Sequence, residues 1–352
     1  MESNTTIQAP VTPTPKQVKK KVKSVYTWAS MGIIFQTFVA LGIVAVLSVA
    51  ATLLFTIFGL PAGAEDVAGA LKMFTMPMTA VGYVAANLFA AWMILLITKV
   101  GKLRNWYKKP EKFTGLDMGM SCFAISGVAF AVVSLLSLCG AIFSNTSENF
   151  GESVNSGLFA DNMFVTVITI LYVAVLGPIT EEILCRGAIL NLSSVVSRRF
   201  GIVASAVLFG LMHGNFIQII NATIMGLFLG YVAVKTRSLV APTILHIFNN
   251  SLSVISSFIT EKWLPNDKGE LVTNIMVYAI MAIGIISMIL ILRKHGKPTE
   301  EDGMVINKVV SDEELSVVEP KKGALTAKLF FTTFSFILVV IYAVGMTVFT
   351  AL

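Results

Sequence analysis

Gly177-Pro178-Ile179-Thr180-Glu181-Glu182-Ile183-Leu184-Cys185-Arg186-Gly187 is the stretch that decides what kind of protein this is. Two adjacent carboxylates and a guanidinium close an apolar run, in a chain that is 55% hydrophobic and 13% charged with mean hydropathy +0.80. Soluble domains are about 25% charged, so the composition describes a polytopic membrane protein. Ionisable groups at membrane depth are costly and mark functional sites by default. Helical geometry then separates the two acids. Glu182 and Arg186 stand four residues apart on one face, where a pair is mutually stabilising. Glu181 points about 100° away from Glu182. A structural ion pair explains Glu182 and Arg186 as well as a functional one does. It does not explain Glu181, whose i+4 neighbour is Cys185.

The apolar runs around this stretch set the architecture, since about 20 such residues cross a bilayer. Before it lie runs at about 29–58, 78–98, 118–143 and 162–180, the last ending in the acidic motif. After it come a helical piece at 183–199 and a short apolar helix at about 201–213. Runs at about 216–234, 239–259, 272–292 and 328–350 follow. The expected fold is an all-α polytopic membrane protein, with eight to nine transmembrane helices around an intramembrane polar site.

The expected organisation has six parts. Residues 1–25 read as a disordered basic N-terminal tail, and 26–160 as N-terminal transmembrane helices. Residues 161–260 form the core that holds the motifs, and 261–297 a further transmembrane helix. An acidic cytoplasmic linker, expected to be flexible, occupies 298–324, and 325–352 is a C-terminal transmembrane helix. The run after the tail is too long for the apolar region of a signal peptide. The tripeptide Asn145-Thr146-Ser147 matters only in a host that glycosylates.

A net charge of +6 could suggest nucleic acid as a partner, but the basic residues cluster in short segments between apolar runs. That is the pattern that orients membrane proteins. With a cytoplasmic N-terminus, only Lys72, Lys262 and Lys268 of the 26 Lys and Arg fall on the far side. The expected partners are membrane lipids and a peptide or protein substrate, not nucleic acid. Cys122, Cys139 and Cys185 lie in or beside apolar runs without metal spacing, and read as small packing residues.

Two of the three histidines lie inside apolar helices. His213 closes Phe209-Gly210-Leu211-Met212-His213, and His246 shares a face with Asn250 four residues on. One intramembrane His is ordinarily a helix–helix hydrogen-bonding residue. Two of them with a Glu and an Asn, on three helices, suit water activation instead. A carboxylate and an imidazole can share the general-base role, while a second His and an amide donate to a developing oxyanion. Alternatively Glu181, His213 and His246 supply the His₂Glu ligands of a hydrolytic zinc site. Both readings give hydrolysis of an acyl bond, and the HExxH spacing of soluble zincins is absent. Counting from the cytoplasmic helix ends, the two histidines meet only if the 201–213 helix tilts or begins above the bilayer. Pro178 and Gly214 are expected to interrupt regular helix beside the site.

The ordered set Glu181-Glu182-x-x-x-Arg186, Phe209-x-x-x-His213 and His246-x-x-x-Asn250 resembles the CPBP family over about residues 160–260. These are the type II CAAX prenyl endopeptidases and their bacterial relatives, also called Abi proteins. The resemblance implies an integral-membrane endopeptidase whose site opens to the cytosol, here of a bacterial cell membrane. It implies that Glu181 and His213 activate water, that His246 and Asn250 stabilise the oxyanion, and that Glu182 and Arg186, with Phe209, support the site. Whether the cofactor is a divalent metal such as zinc, or there is none, stays open. Cys185 departs from the pattern, standing where an aromatic often precedes the Arg. The expected role is peptide maturation or bacteriocin self-immunity. The alternative is a non-catalytic membrane immunity or scaffold protein that keeps the polar cluster for packing. A transporter would carry repeated halves, and the acidic motif has no second copy in 29–143.

Overall fold

Thr14 starts the first helix. Its side chain accepts from the Gln17 backbone N–H, Gln17 returns the bond, and Pro15 occupies the first turn, where no N–H is needed. Helix α1 (Pro15–Phe58) therefore begins inside the expected tail. Val18, Val22 and Val25 recur on one face and are buried, while Lys16, Lys19, Lys20 and Lys23 stay exposed. The expectation of disorder over 1–25 is thus corrected from Pro15 onward: this basic segment is amphipathic and has a core to dock on. The computed structural model describes residues 13–144, 158–159, 162–264, 267–304, 306–307, 309–318 and 322–351. The sequon and most of the polar 144–161 segment fall outside them.

Helix α2 (Val67–Thr98), capped by Asp66, packs back along α1. Helix α3 (Gly115–Ser144) pairs with α8 (Asp267–His295), and Lys294 closes on Asp117 at 2.7 Å. Between them lies the core: α4 (Met163–Ser193), α5 (Arg198–Leu211), α6 (Phe216–Thr236) and α7 (Val240–Phe258). The expected break after residue 180 does not exist. α4 runs through it, with widened π turns at Tyr172–Leu176 and Ile183–Leu190. A proline inside a regular helix removes a hydrogen bond and clashes with the preceding turn; the π turn ahead of Pro178 lets the helix pass.

Six helices among the described residues are long and apolar enough to cross a membrane: α1, α2, α3 (over Gly115–Cys139), α4, α6 and α8. Helix α11 (Phe334–Ala351) contains a shorter apolar stretch, Phe334–Phe349. The protein is an all-helical integral membrane protein, but the expected count of eight to nine spans is not reached by these measures. α5 has 14 residues, and α7 carries His246, Asn249 and Asn250, which lower its hydropathy.

The acidic linker is the second correction. It lies packed on the end of the bundle where the basic loops gather. Asp302 is 2% exposed and takes Lys112 at 2.8 Å and Lys235 at 3.0 Å. Gly303 donates to the Val234 carbonyl, Asn307 to that of Val100, and Glu314 pairs with Lys21 at 2.7 Å. Met304, Val310 and Leu315 enter the main core, and a capped turn, α9 (Asp312–Ser316), precedes α10 (Lys322–Phe331). Burial opposes charge on Asp302. Hydrogen bonds from Lys112, the Thr299 N–H, Lys235 and the Thr299 hydroxyl outweigh it, so the carboxyl is held well below the usual aspartate range.

Candidate active site

The site is assembled around one fully buried carboxylate. Glu182 Oε1 accepts from Arg186 Nη1 at 2.7 Å, one helical turn on, and from His246 Nδ1 at 3.0 Å across from α7. Arg186 also donates to the Gly226 carbonyl of α6 at 3.3 Å and lies 4.4 Å above the Phe209 ring of α5. Four helices thus meet at this pair. Charges so deep persist only when paired and hydrogen-bonded, which these contacts supply for Glu182 Oε1 and for Arg186 Nη1 and Nη2, while Glu182 Oε2 and Arg186 Nε are buried without a partner. Behind them Asn87 of α2 donates to Thr180 at 3.1 Å, fixing the turn that carries both acids.

Glu181 faces elsewhere, as its helical angle requires. Its side chain is 16% exposed, and Oε2 lies 3.7 Å from His246 Nε2. Both border a cavity of about 290 Å³ that His213, Phe209, Asn250 and Tyr172 also line. Since Glu182 Oε1 only accepts, His246 Nδ1 carries the hydrogen between them, and Nε2 is the nitrogen turned to Glu181.

His213 and Asn250 are both held by carbonyls that the backbone leaves free. The His213 N–H bonds back to Gly210 rather than Phe209, because the chain leaves the helix at Gly214 with φ +65°. Such helix-end carbonyls need other donors. The Phe209 carbonyl takes His213 Nδ1 at 2.8 Å. A carbonyl cannot donate, so Nδ1 carries a hydrogen, and Nε2 is the nitrogen not engaged by this bond. In α4 the π turn directs the Gly177 N–H to Tyr172. The next donor due, for Val173, would be residue 178, a proline without one. Asn250 Nδ2 fills that place at 2.9 Å. The interruptions expected at Pro178 and Gly214 therefore orient two site residues.

The histidines line one cavity despite their different expected depths but do not touch: Phe209 sits between them, with ring centroids 5.0 Å from His213 and 5.6 Å from His246. Among the described residues no three His, Cys, Asp or Glu side chains gather closely enough to hold a metal ion. Glu181, His213 and His246 line one cavity but do not stand close enough together in this arrangement to form the His₂Glu ligand set. Reading the motifs missed Asn249, Gln218 and Asn221, which also line the cavity. Asn249 stands three residues from His246 on one helix, which was an available signal; Gln218 and Asn221 lie on α6, which carries no motif residue, and no signal in the sequence tied them to the site.

Residues 163–252 match the model of the Rce1-like type II CAAX prenyl endopeptidases. That segment is similar to the CPBP family. It contains every motif residue of the site, from Glu181 to Asn250. A Bacillus subtilis (strain 168) protein described as "Putative membrane peptidase YdiL" is 27% identical over 167 residues. The alignment covers 46% of this chain and 65% of that protein. No solved structure matches. One similarity is to prenyl endopeptidases and the other to a protein described as a putative membrane peptidase, and the matched segment lies at the centre of the helical bundle described above.

Proposed function

We propose that this chain is an intramembrane endopeptidase in which Glu181 activates water. The observation that carries the reading is the placement of Glu181. It is a carboxylate not used up by the Glu182–Arg186 pair, 3.7 Å from an imidazole, on a cavity inside an otherwise apolar bundle. General-base work needs the carboxylate within about 3 Å of the water it activates, and the cavity beside Glu181 has room for one. His213, with Nε2 not engaged by its bond to the Phe209 carbonyl, supports the same step from the opposite side of that ring.

The reaction follows from these positions. Glu181 takes a proton from water as the oxygen bonds to the scissile carbonyl carbon. Negative charge then develops on the carbonyl oxygen, where the second amide hydrogen of Asn250 and an Nε2–H of doubly protonated His246, whose Nδ1–H is held by Glu182, stabilise it. When the C–N bond breaks, the proton passes from Glu181 to the leaving amine. Glu182 and Arg186 hold His246 and Phe209 in place and do not touch the substrate. No step requires a metal.

The substrate is a membrane-associated protein or a peptide, reached from the cytoplasm of a bacterial cell, with maturation of a small peptide or self-immunity as its biological use. The orientation is supported by the packed linker, which ties together Lys21, Lys99, Lys112, Arg198 and Lys235 at one end of the bundle. A cytoplasmic N-terminus puts that basic end on the side the charge rule requires.

The test is Glu181→Gln in the purified, lipid-reconstituted chain. Peptide hydrolysis should fall by several orders of magnitude with thermal stability retained. Adding His213→Ala should cost little more, because residues acting as a unit are not additive. A Glu181→Gln protein that hydrolyses peptide like wild type removes the mechanism.

A further inference from the structure

A second cavity opens at the end of the bundle where the basic loops gather, away from the catalytic residues. It encloses about 530 Å³ between the α4–α5 connection, the start of α5, the linker and Thr326 of α10. Arg199, Phe200 and Val203 follow one another along its α5 wall, the last one helical turn beyond the first. Arg199 stands exposed at the rim. Val203, about 6 Å further along the axis, is 41% exposed on the outside of the bundle. Phe200 lies between them, its ring centroid 5.5 Å from that of Tyr26 and 5.6 Å from that of Phe330. A charged rim that runs onto exposed apolar surface suits an amphiphile, with a headgroup at the rim and a chain along the helix. Two opposite charges line the rim, and neither is spent on the other. Glu300 caps α5 from outside: Oε1 accepts from the Ser197 hydroxyl and Oε2 from the Arg198 N–H, both at 3.2 Å. Arg199 uses Nε on the Pro298 carbonyl at 2.9 Å, and its Nη groups have no partner among the described residues.

We propose that this groove binds a zwitterionic phospholipid with a primary ammonium headgroup, of the phosphatidylethanolamine class. Arg199 takes the phosphate, whose oxygens match the fork of a guanidinium. Glu300 accepts from the ammonium, because a carboxylate that already takes two hydrogen bonds has acceptor capacity left. One acyl chain follows Phe200 and Val203 out to the bilayer. Charge selects among the lipids. The N-terminus of α5 is already answered by a carboxylate, so it does not call for a second anion. A phosphoglycerol headgroup would meet Glu300 with no cation of its own. A choline headgroup carries the positive charge but no N–H to donate. The lipid joins two segments far apart in sequence, Arg199 on α5 and Glu300 on the linker, and so fastens the linker to the bundle at the membrane surface.

The experiment uses the full chain, delipidated in detergent and offered an equimolar mixture of dioleoyl phosphatidylethanolamine, phosphatidylcholine and phosphatidylglycerol. Native mass spectrometry reads which lipid stays bound. The ethanolamine lipid should be retained with an affinity about tenfold above either of the others. Arg199→Gln should remove that tight binding. Glu300→Gln, whose amide oxygen still accepts at the α5 cap, should keep phospholipid bound and lose the preference for the ethanolamine lipid. Glycerophosphoethanolamine, the same headgroup without acyl chains, should fail to displace the lipid at equal concentration. Equal retention of the three lipids by wild type, retention of phosphatidylglycerol above the others, or retention of none overturns the proposal. So does a preference that survives both substitutions, or displacement by the chainless headgroup. The comparison within wild type needs no variant to fold, and it reads no peptide hydrolysis, so it stands or falls apart from the endopeptidase reading.

Discussion

Gly214 and Met346 meet so closely that Gly214 has no room for a side chain: a Cβ built there would lie 2.9 Å from the Met346 Cβ. Gly214 ends the helix that presents His213, while Met346 belongs to α11, outside the matched segment. Thr347 adds a hydrogen bond to the Gly214 carbonyl at 3.2 Å. The last apolar helix thus braces the turn on which a site histidine sits.

Gly214→Ala should therefore destabilise the protein in two ways. A non-glycine residue at φ +65° costs about 1–2 kcal/mol, and the new methyl collides with Met346. Met346→Gly in the same chain removes the Cβ that the new methyl meets and should recover the second part and not the first, whereas Met346→Ala keeps that Cβ and should recover little. Thermal unfolding in detergent measures both, and a Gly214→Ala protein as stable as wild type would count against this bracing.

Asn250 is expected to act on stability through Val173 as well as on turnover. Asn250→Ala leaves the Val173 carbonyl unsatisfied, a loss of about 1–3 kcal/mol. Removing one oxyanion donor also lowers turnover by about 10²–10³ without eliminating it. Pro178→Ala restores a backbone N–H at the position that carbonyl lacks, so Asn250→Ala should cost less stability in that background. A double-mutant cycle with no coupling would show that the Val173 contact is not what Asn250 contributes.

Glu182→Ala and Arg186→Ala should act mainly through folding. Each leaves a fully buried charge uncompensated, a loss of about 3–5 kcal/mol. Both should unfold at markedly lower temperature in detergent. Variants that kept wild-type Tm but lost hydrolysis would move this pair from support into the chemistry.

Acid should release the linker. Asp302 has its pKa lowered in the folded protein, so its ionised form contributes stability above the ordinary aspartate range. That contribution falls away as pH drops through this range toward the lower folded value. Limited proteolysis within 298–318 should be slow at neutral pH and accelerate below about pH 4, where an unperturbed aspartate protonates. Asp302→Asn should be cleaved readily at neutral pH, and equal resistance in the two proteins would refute the anchoring.

What the sequence determined by itself is what periodicity along one helix can fix. Glu182 and Arg186 had to share a face and Glu181 had to leave it; His246 had to align with Asn250; the composition required a membrane. Contacts between helices were decided only by tertiary packing. His246 is 64 residues from Glu182 in the chain, and nothing in the local spacing says that its Nδ1 faces that carboxylate while Nε2 faces Glu181. Asn249 stands in register with His246 along α7, but only packing brings Gln218 and Asn221 of α6 to the same cavity. Helix α4 reads as broken because Pro178 breaks a regular helix, and a widened turn is not encoded in hydropathy. The linker reads as flexible because it is acidic and polar. Its order comes from Lys112 and Lys235, whose own segments lie far away in sequence and are brought to it by the bundle.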